Sequence, residues 1–379
     1  MSKYLLRREP VVNRHKAIIA TRLISHAPTA AAAADDFKRL ADVWPDARTV
    51  LISLAEALPD EGLLAWQPPE NAMIEVPAAR LTESPLQGLL QQLAASRVPI
   101  CLDGYAPGMA LPSLQFRFML ADATLHPRMQ NAPGLMIARH LVSLQDFEEA
   151  MNNGYSGAAG WFFLKGRPVA NKLDASHGQI VRVLNLVRKN AEIAEIEAAL
   201  KQDVTLSFKL LRYINSAGFG LATQIQSFKH AVTLLGYDKL NKWLSLLLVT
   251  ASKDAAAPAL MQTAITRGRF MEIVGQSAGI FDKTQIDNLF ITGAFSLLDV
   301  LLGSRMEAVL EQMTLPEAIS GALLQQGGPL GPWLELALAG ESEDAAAIQA
   351  KAAALGLDIE TVNHAQIEAL VFADSLQFN

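Results

Sequence analysis

Residues 203–251 read DVTLSFKLLRYINSAGFGLATQIQSFKHAVTLLGYDKLNKWLSLLLVTA and decide the fold of the C-terminal half. Apolar residues such as Leu210 and Ile214 recur at helical spacing, and the pattern restarts at Ser227 after a run of small and polar residues. Gly236 fits the end of a helix, because glycine adopts a left-handed conformation without steric cost. The stretch therefore predicts a helix, a turn and two further helices, which present a surface rather than a reaction centre.

The order of motifs in this stretch resembles the HDOD domain, a helical relative of the HD phosphohydrolases. The shared features are a Leu-Leu-Arg helix that runs into Asn-Ser-Ala at residues 215–217 and the sequence Ala-Val-Thr-Leu-Leu-Gly at residues 231–236. Residues 290–299 (FITGAFSLLD) and 327–339 (GGPLGPWLELALA) resemble the downstream part of two-domain EAL-HDOD signalling proteins. HD chemistry depends on an adjacent His-Asp pair, and the sequence contains no His-Asp dipeptide.

The resemblance implies a helical docking domain that contacts other signalling proteins. The candidate contact residues come from the opening stretch and are Leu211, Asn215, Ser216, Phe219, Ser227, Leu235 and Gly236. Ser216 is not predicted to be a nucleophile, since no Gly-x-Ser-x-Gly elbow surrounds it. Turn chemistry explains Asn215 and Ser216 more simply.

Length and composition predict two domains and no membrane segment. The chain has 379 residues, of which 51% are hydrophobic, enough for two cores. The longest near-continuous apolar run, residues 243–251, is too short to cross a bilayer, and the N-terminus lacks the apolar segment of a secretory signal. The single cysteine, Cys101, cannot form an internal disulfide. We therefore expect a cytoplasmic protein.

The charge of the chain disfavours nucleic acid as a partner. The net charge is −6, and residues 173–379 hold 15 Lys and Arg against 22 Asp and Glu. A domain of this sign has no overall attraction for a phosphate backbone. We expect protein partners instead. A homodimer is left open, because amphipathic helices alone do not show whether an apolar face packs within the chain or between chains.

The N-terminal half alternates predicted strands with predicted helices, a rhythm typical of parallel strand pairing. Apolar runs predict strands at residues 49–54, 72–76, 98–103 and 134–138. Helical spacing predicts helices at residues 86–95 and 144–152. After Gly166 every long periodic segment is helical. We therefore place the domains at residues 1–170 and 179–379, with a linker at 171–178.

The N-terminal half resembles the EAL domain, a barrel that hydrolyses cyclic di-GMP with divalent metals. Residues 7–13 (RREPVVN) and 16–20 (KAIIA) look like the first hairpin of that family. Of the family's metal ligands, a glutamate remains as Glu75 and the first of two paired aspartates remains as Asp103. The other ligand and nucleotide-contact positions are replaced. The residues found there are Arg22 and His26 in the signature motif, Ser53 and Gly104 at later ligand positions, Arg117 and Met119 on the strand of the catalytic lysine, and Val142 and Ala159 near the end.

These replacements predict a TIM-barrel-like fold without a metal, a cofactor or catalytic residues. A two-metal phosphodiesterase needs several oxygen ligands around two hard cations, and Glu75 with Asp103 supplies too few. Arg22 would place a permanent positive charge where a cation should bind. We therefore expect no enzyme activity. Only residues 121–133 separate the strand of Arg117 from the next, which predicts a degenerate barrel that is incomplete or distorted.

The resulting hypothesis is a non-catalytic signalling adaptor, with a degenerate EAL barrel followed by an all-helical HDOD domain. A first alternative is a receptor that binds cyclic di-GMP or another nucleotide without cleaving it. Its candidate contacts are Arg22, Arg117 and Arg139 for phosphate, with Trp161 for stacking. A second alternative is residual cyclic di-GMP phosphodiesterase activity that depends on Glu75.

Overall fold

The computed structural model describes residues 4–96, 98–129, 132–165, 175–202, 228–250 and 257–376. Five of the seven docking candidates lie outside these residues, namely Leu211, Asn215, Ser216, Phe219 and Ser227. Leu235 and Gly236 lie inside, on a described helix, although the side chain of Leu235 is not described.

The chain divides into a barrel unit and a helical unit. The barrel unit comprises Met1–Gly166, Gly340–Ala350 and Asp358–Ile367, and the helical unit comprises Arg167–Ala339, Lys351–Leu357 and Glu368–Asn379. The sequence placed everything after residue 178 in the helical domain. Two C-terminal segments join the barrel unit instead, and Asn363 shows why. Its side-chain oxygen accepts from the Leu6 amide at 2.9 Å, and its Nδ2 donates to the Tyr4 carbonyl at 2.9 Å.

The barrel unit holds a closed eight-stranded barrel, and β1 pairs antiparallel with β2 and β8 while all other pairs are parallel. The strands are β1 (Leu6–Asn13), β2 (Ile18–Ser25), β3 (Thr49–Leu54), β4 (Ala72–Pro77), β5 (Ile100–Asp103), β6 (Phe116–Asp122), β7 (Leu135–Arg139) and β8 (Gly157–Ala159). The helices among them are α1 (Ala30–Lys38), α2 (Ser84–Ser96) and α3 (Leu144–Asn152). Short 3-10 turns occupy Ala41–Val43, Glu61–Trp66, Ala78–Arg80 and Phe162–Lys165. The predicted TIM-like fold is confirmed.

The expectation of an incomplete barrel is wrong, because β6 and β7 pair in parallel from Phe118 opposite Leu135 to Asp122 opposite Arg139. The described residues between these strands form turns and no helix. They are anchored by other bonds. The Tyr155 hydroxyl donates to the His126 carbonyl at 2.6 Å, and the Met129 amide donates to the Asn153 carbonyl at 2.8 Å. A short connection therefore suffices to close the barrel.

Alternate residues of the strands fill the inside of the barrel, as the two-residue period of a strand requires. The inner layer consists of Val11, Ala20, Leu51, Met73, Cys101, Phe118, Leu120, Ile137 and Ala159, all nearly or fully buried. This apolar layer closes the middle of the barrel. Polar residues of the same inward parity therefore lie at the barrel ends.

The helical unit is built from further helices of the described residues. They are α4 (Ala175–Arg188), α5 (Ile193–Lys201), α6 (Phe228–Val249), α7 (Ala257–Ala278), α8 (Lys283–Phe295), α9 (Leu298–Leu302), α10 (Met306–Leu310), α11 (Glu317–Gln325) and α12 (Gly331–Ala339). Two later helices, α13 (Ala345–Ala354) and α14 (Ile359–Ser375), each include residues of both units. Among the described residues, no helix is long and apolar enough to cross a membrane.

Glycines cause a break in α6 and a close contact between α7 and α8. The predicted break at Gly236 is confirmed inside α6, with φ 75 and ψ 171. This conformation belongs to glycine and differs from the left-handed helical one that the sequence predicted. Gly293 of α8 lies against Gly268 of α7, where a Cβ would come within 2.7 Å of the opposing backbone. The two helices therefore pack backbone to backbone.

Candidate functional site

A set of charged side chains occupies one end of the barrel. Four of these residues each follow an inner-layer residue of the same strand by two positions. They are Arg22 on β2, Glu75 on β4, Asp103 on β5 and Arg139 on β7. They share the inward parity of the apolar layer and lie toward the carboxyl ends of the parallel strands. In α/β barrels this end is where the active site is built.

Arg22 and Glu75 form a buried, two-pronged ion pair. Nε of Arg22 donates to Oε2 of Glu75 at 2.8 Å, and Nη2 donates to Oε1 at 2.7 Å. Each side chain is only 3% exposed. Nη1 of Arg22 also donates to Glu9 on β1, and the Ser53 hydroxyl donates to Oε1 of Glu75 at 2.8 Å. Arg22, which stands at a replaced ligand position, thus binds both carboxylate oxygens of the retained ligand Glu75.

Each member of this pair stabilises the charged form of the other. Burial disfavours the charged form of Arg22, but attraction from Glu75 and Glu9 outweighs it and raises the pKa of the guanidinium well above its usual value. Burial also disfavours the charged form of Glu75. Attraction and hydrogen bonds from Arg22, with the hydrogen bond from Ser53, outweigh it and lower the pKa of that carboxyl. Both groups are therefore charged at neutral pH.

A second ion pair lies at the same end of the barrel. Nη1 of Arg139 donates to both carboxylate oxygens of Asp103, at 2.7 and 2.9 Å. These side chains are about a quarter exposed, at 24% and 26%. The two candidate phosphate contacts Arg22 and Arg139 therefore lie at one end of the barrel, each already paired with a remnant ligand.

Arg7 is a third arginine at this end, and the sequence analysis did not single it out. It lies on β1, where Arg7, Glu9 and Val11 share one face. Its guanidinium donates to Nε2 of His26 at 3.3 Å and to the Ser342 carbonyl at 3.0 Å. Burial lowers the pKa of Arg7, and repulsion from Arg22 and Arg139 lowers it further. Attraction from Glu9 and Glu343 opposes this shift. The same burial, with the charge of Arg7, lowers the pKa of His26.

Arg117 and Met119 do not join the cluster, and strand parity is the reason. On β6 the inward positions are Phe118 and Leu120, so Arg117 and Met119 face the other way. Arg117 is exposed near the start of the strand, which is the opposite end of the barrel, and its guanidinium lies over the ring of Phe118. Met119 is buried.

Asp122 is the inward acid at the end of β6, and alternation along the strand could have identified it. Its Oδ2 lies 2.8 Å from Nδ1 of His140, and its Oδ1 accepts from the Thr124 hydroxyl at 2.6 Å. Burial acts to raise the pKa of Asp122, but the hydrogen bonds from Thr124 and His140 outweigh that effect and lower the pKa to about 2. His140 holds a left-handed backbone with φ 61, which is uncommon for a residue with a side chain.

The remaining candidates are scattered. Gly104 has φ 81, Val142 is 61% exposed, and Ala159 belongs to the inner apolar layer. Trp161 lies under the guanidinium of Arg8, which is 4.9 Å from the ring centroid. The structure therefore does not bring Trp161 into contact with the three arginines through any described interaction.

The residues present do not fit the pair of divalent metals that the fold family implies. Both oxygens of Glu75 are engaged by Arg22, and those of Asp103 by Arg139. A guanidinium at the signature position repels a cation. Within the described residues there is also no group of three His, Cys, Asp or Glu side chains that could hold a metal ion.

Comparisons with known proteins give a family match for the helical half and two curated relatives. Residues 175–314 match the family model of the HDOD domain. The cyclic di-GMP phosphodiesterase CdgJ of Vibrio cholerae is 28% identical over 235 residues, which cover 62% of this chain and 54% of that protein. The uncharacterized protein YuxH of Bacillus subtilis is 22% identical over 207 residues, which cover 53% of this chain and 50% of that protein. The chain thus spans about half the length of the curated relatives it matches.

Two solved structures resemble the chain in part. BlrP1 of Klebsiella pneumoniae, in a manganese and cyclic di-GMP complex, covers 42% of this chain and 55% of its own at 14% identity, with a TM-score of 0.34. The phosphodiesterase PaMucR in complex with cyclic di-GMP covers 42% and 90% at 13% identity, with a TM-score of 0.32.

The predicted combination of domains is confirmed, since an HDOD domain follows an eight-stranded barrel that fits an EAL domain. The expectation that the chain is not an enzyme is contradicted. The relative that matches 62% of the chain is named a cyclic di-GMP phosphodiesterase. That expectation rested on the lost metal ligands and on the charge of Arg22, and it left out other polar groups at this end of the barrel, such as Asp122 and His140.

Proposed function

We propose that this chain acts in cyclic di-GMP signalling, with the dinucleotide bound at the charged end of the barrel and the helical domain contacting partner proteins. The observation that carries the proposal is the convergence of Arg7, Arg22 and Arg139 at that end. A cyclic dinucleotide carries two phosphodiesters, and arginine suits such anions because its planar guanidinium presents several donors.

Arg7 is the proposed first phosphate contact. Arg22 and Arg139 are each held by a carboxylate, whereas in the described part of the chain Arg7 donates only to neutral acceptors, His26 and the Ser342 carbonyl. Burial lowers the pKa of Arg7, and the attraction of Glu9 and Glu343 does not offset it. An incoming phosphodiester would supply the missing negative charge, while the two ion pairs hold the surrounding walls in place.

Titration calorimetry of the full chain with cyclic di-GMP tests this assignment. Replacing Arg7 by Gln should weaken binding roughly tenfold or more, because a charged hydrogen bond contributes about 1.5–3 kcal/mol. Arg117→Gln is the matched control, since it removes the same charge from the opposite end of the barrel. No binding by the unaltered chain, or equal losses in both variants, would overturn the proposal.

Hydrolysis of the bound dinucleotide is a second candidate function, favoured by the Asp122–His140 pair and by the name of the Vibrio relative. With Nδ1 held by Asp122, the other ring nitrogen of His140 can take the proton of a water that attacks phosphorus. The P–O bond to one ribose oxygen then breaks, that oxygen takes up a proton from water, and a linear dinucleotide leaves. Chromatography should detect that product, and His140→Gln should slow its formation about 100-fold or more. Absence of product from the unaltered chain would remove this candidate.

The helical domain is proposed to carry the output through protein contacts. The HDOD match supports this, although most of the docking candidates lie outside the described residues. Affinity capture with the full chain and with a Phe219→Ala variant tests it. A partner retained by the first and lost by the second is the expected result, whereas equal retention would contradict the assignment of that residue.

A further inference from the structure

A pocket of about 520 Å³ lies at the other end of the barrel, away from the arginines. Its lining includes Trp44 and Asp46, which precede β3, and Trp66, which precedes β4. The amino ends of parallel strands meet at one end of a barrel. The pocket is therefore separate from the proposed dinucleotide site.

Two residues of the pocket lining, Trp44 and Trp66, belong to an aromatic cluster. The rings of Trp44 and Trp66 lie 4.9 Å apart between centroids, and Phe37 packs on Trp66 at 4.8 Å. Nε1 of Trp44 donates to Oδ1 of Asn71 at 3.0 Å, and Nδ2 of Asn71 donates to the carbonyls of Pro45 and Arg48 at 2.7 and 2.6 Å. Trp66 is 7% exposed, but Trp44 is only half-buried. The partly exposed ring of Trp44 therefore lines the pocket.

The rim of the pocket is acidic. Asp42 and Asp46 line it and are both exposed, and a hydrogen bond to His364 lowers the pKa of Asp42, so its carboxylate is charged at neutral pH. Among the described residues of the lining, Lys38 is the one basic residue, and its ammonium is paired with Asp35 at 3.2 Å. An indole face beside two carboxylates attracts a cation.

We propose that this pocket binds a small organic cation of the alkylguanidinium class. A guanidinium is planar and stacks on an aromatic face, and its fork of N–H groups matches carboxylates. Trp44 supplies the face, and Asp42 and Asp46 supply the acceptors. A quaternary ammonium, which has no N–H donor, would use the aromatic face but not the carboxylates.

Methylguanidinium chloride is the probe, with methylurea as the neutral molecule of similar shape and sodium chloride as the salt control. The indole N–H signals of the full chain report binding, and Trp44→Phe identifies the Trp44 signal. We expect methylguanidinium to shift the Trp44 and Trp66 signals saturably, and methylurea to leave them in place. Absence of a saturable shift, or an equal shift with methylurea or sodium chloride, would overturn the proposal.

Variants separate binding from folding. Trp44→Leu should weaken binding roughly tenfold, whereas Trp44→Phe keeps an aromatic face and should bind nearly as well. Asp46→Asn alters an exposed side chain, so the fold is retained, and it should weaken binding roughly threefold. Glu56→Gln is the matched control, because it removes one exposed carboxylate beyond the other end of β3. Equal weakening in the Asp46 and Glu56 variants would contradict a specific site.

Discussion

The two ends of the barrel differ in the burial and pairing of their charged side chains. At the carboxyl end, Arg22 and Glu75 are each 3% exposed and satisfy one another with two hydrogen bonds. At the amino end, Asp42 and Asp46 are exposed, and the buried groups are aromatic. Charges inside the barrel must be paired because desolvation is costly, whereas charges on the rim need no partner. The first end is therefore sensitive to loss of a charge, and the second to loss of a ring or its hydrogen bond.

The largest effect should come from Glu75→Gln at the carboxyl end. This change leaves Arg22 buried with only part of its countercharge, and breaking a buried pair in this way costs about 3 kcal/mol or more. Urea unfolding of the two proteins measures the difference in stability.

Glu83→Gln is the control for that experiment. It breaks the Arg80–Glu83 pair, which is equally two-pronged at 2.6 and 2.7 Å but exposed by more than two fifths on each side. We expect no measurable change in the unfolding midpoint. If Glu75→Gln proved as harmless as Glu83→Gln, burial of the pair would have no energetic consequence and the contrast between the two ends would fail.

A smaller loss should follow Asn71→Ala at the amino end. The variant removes the acceptor of the Trp44 indole and the donor to two backbone carbonyls. Leaving such partly buried groups unsatisfied costs about 1–3 kcal/mol. Fluorescence-detected unfolding gives the stability. A loss equal to that of Glu75→Gln would show that the aromatic end depends on polar pairing as strongly as the charged end does.

Local periodicity predicted much of the barrel. The strand at Thr49–Leu54 and the helix at Leu144–Asn152 have the bounds that the apolar pattern indicated. The closed barrel could not be predicted from the short segment before β7, because the bonds that anchor it come from Tyr155 and Asn153, some 20 to 30 residues later. Closure depends on these long-range contacts rather than on local sequence.

The resemblance located some residues of the site, and strand parity would have separated those that face into the barrel from those that do not. Arg22 and Glu75 were singled out, but their direct contact joins residues 53 positions apart and is a product of the barrel. Arg117 was assigned by position in a motif, and its outward parity places it away from the other candidate arginines. The aromatic pocket joins Trp44 and Trp66 from two different loops, and neither residue carries a local signal of a site.

A still smaller loss of stability should follow Asp122→Asn at the carboxyl end, and this loss should depend on pH. The folded-state pKa of Asp122 is about 2, against an ordinary 3.8, so its carboxylate stabilises the fold above pH 4. That contribution disappears as the pH falls from 4 towards 2, through the folded-state pKa. Because the group is largely open to solvent, the loss in Asp122→Asn should be about 1 kcal/mol at neutral pH. Unfolding measured from pH 7 down to pH 2 should show the free energies of unfolding of the two proteins converging below pH 4. A difference that stays constant would mean that the loss comes from poorer packing of the amide against His140 and not from the lost charge.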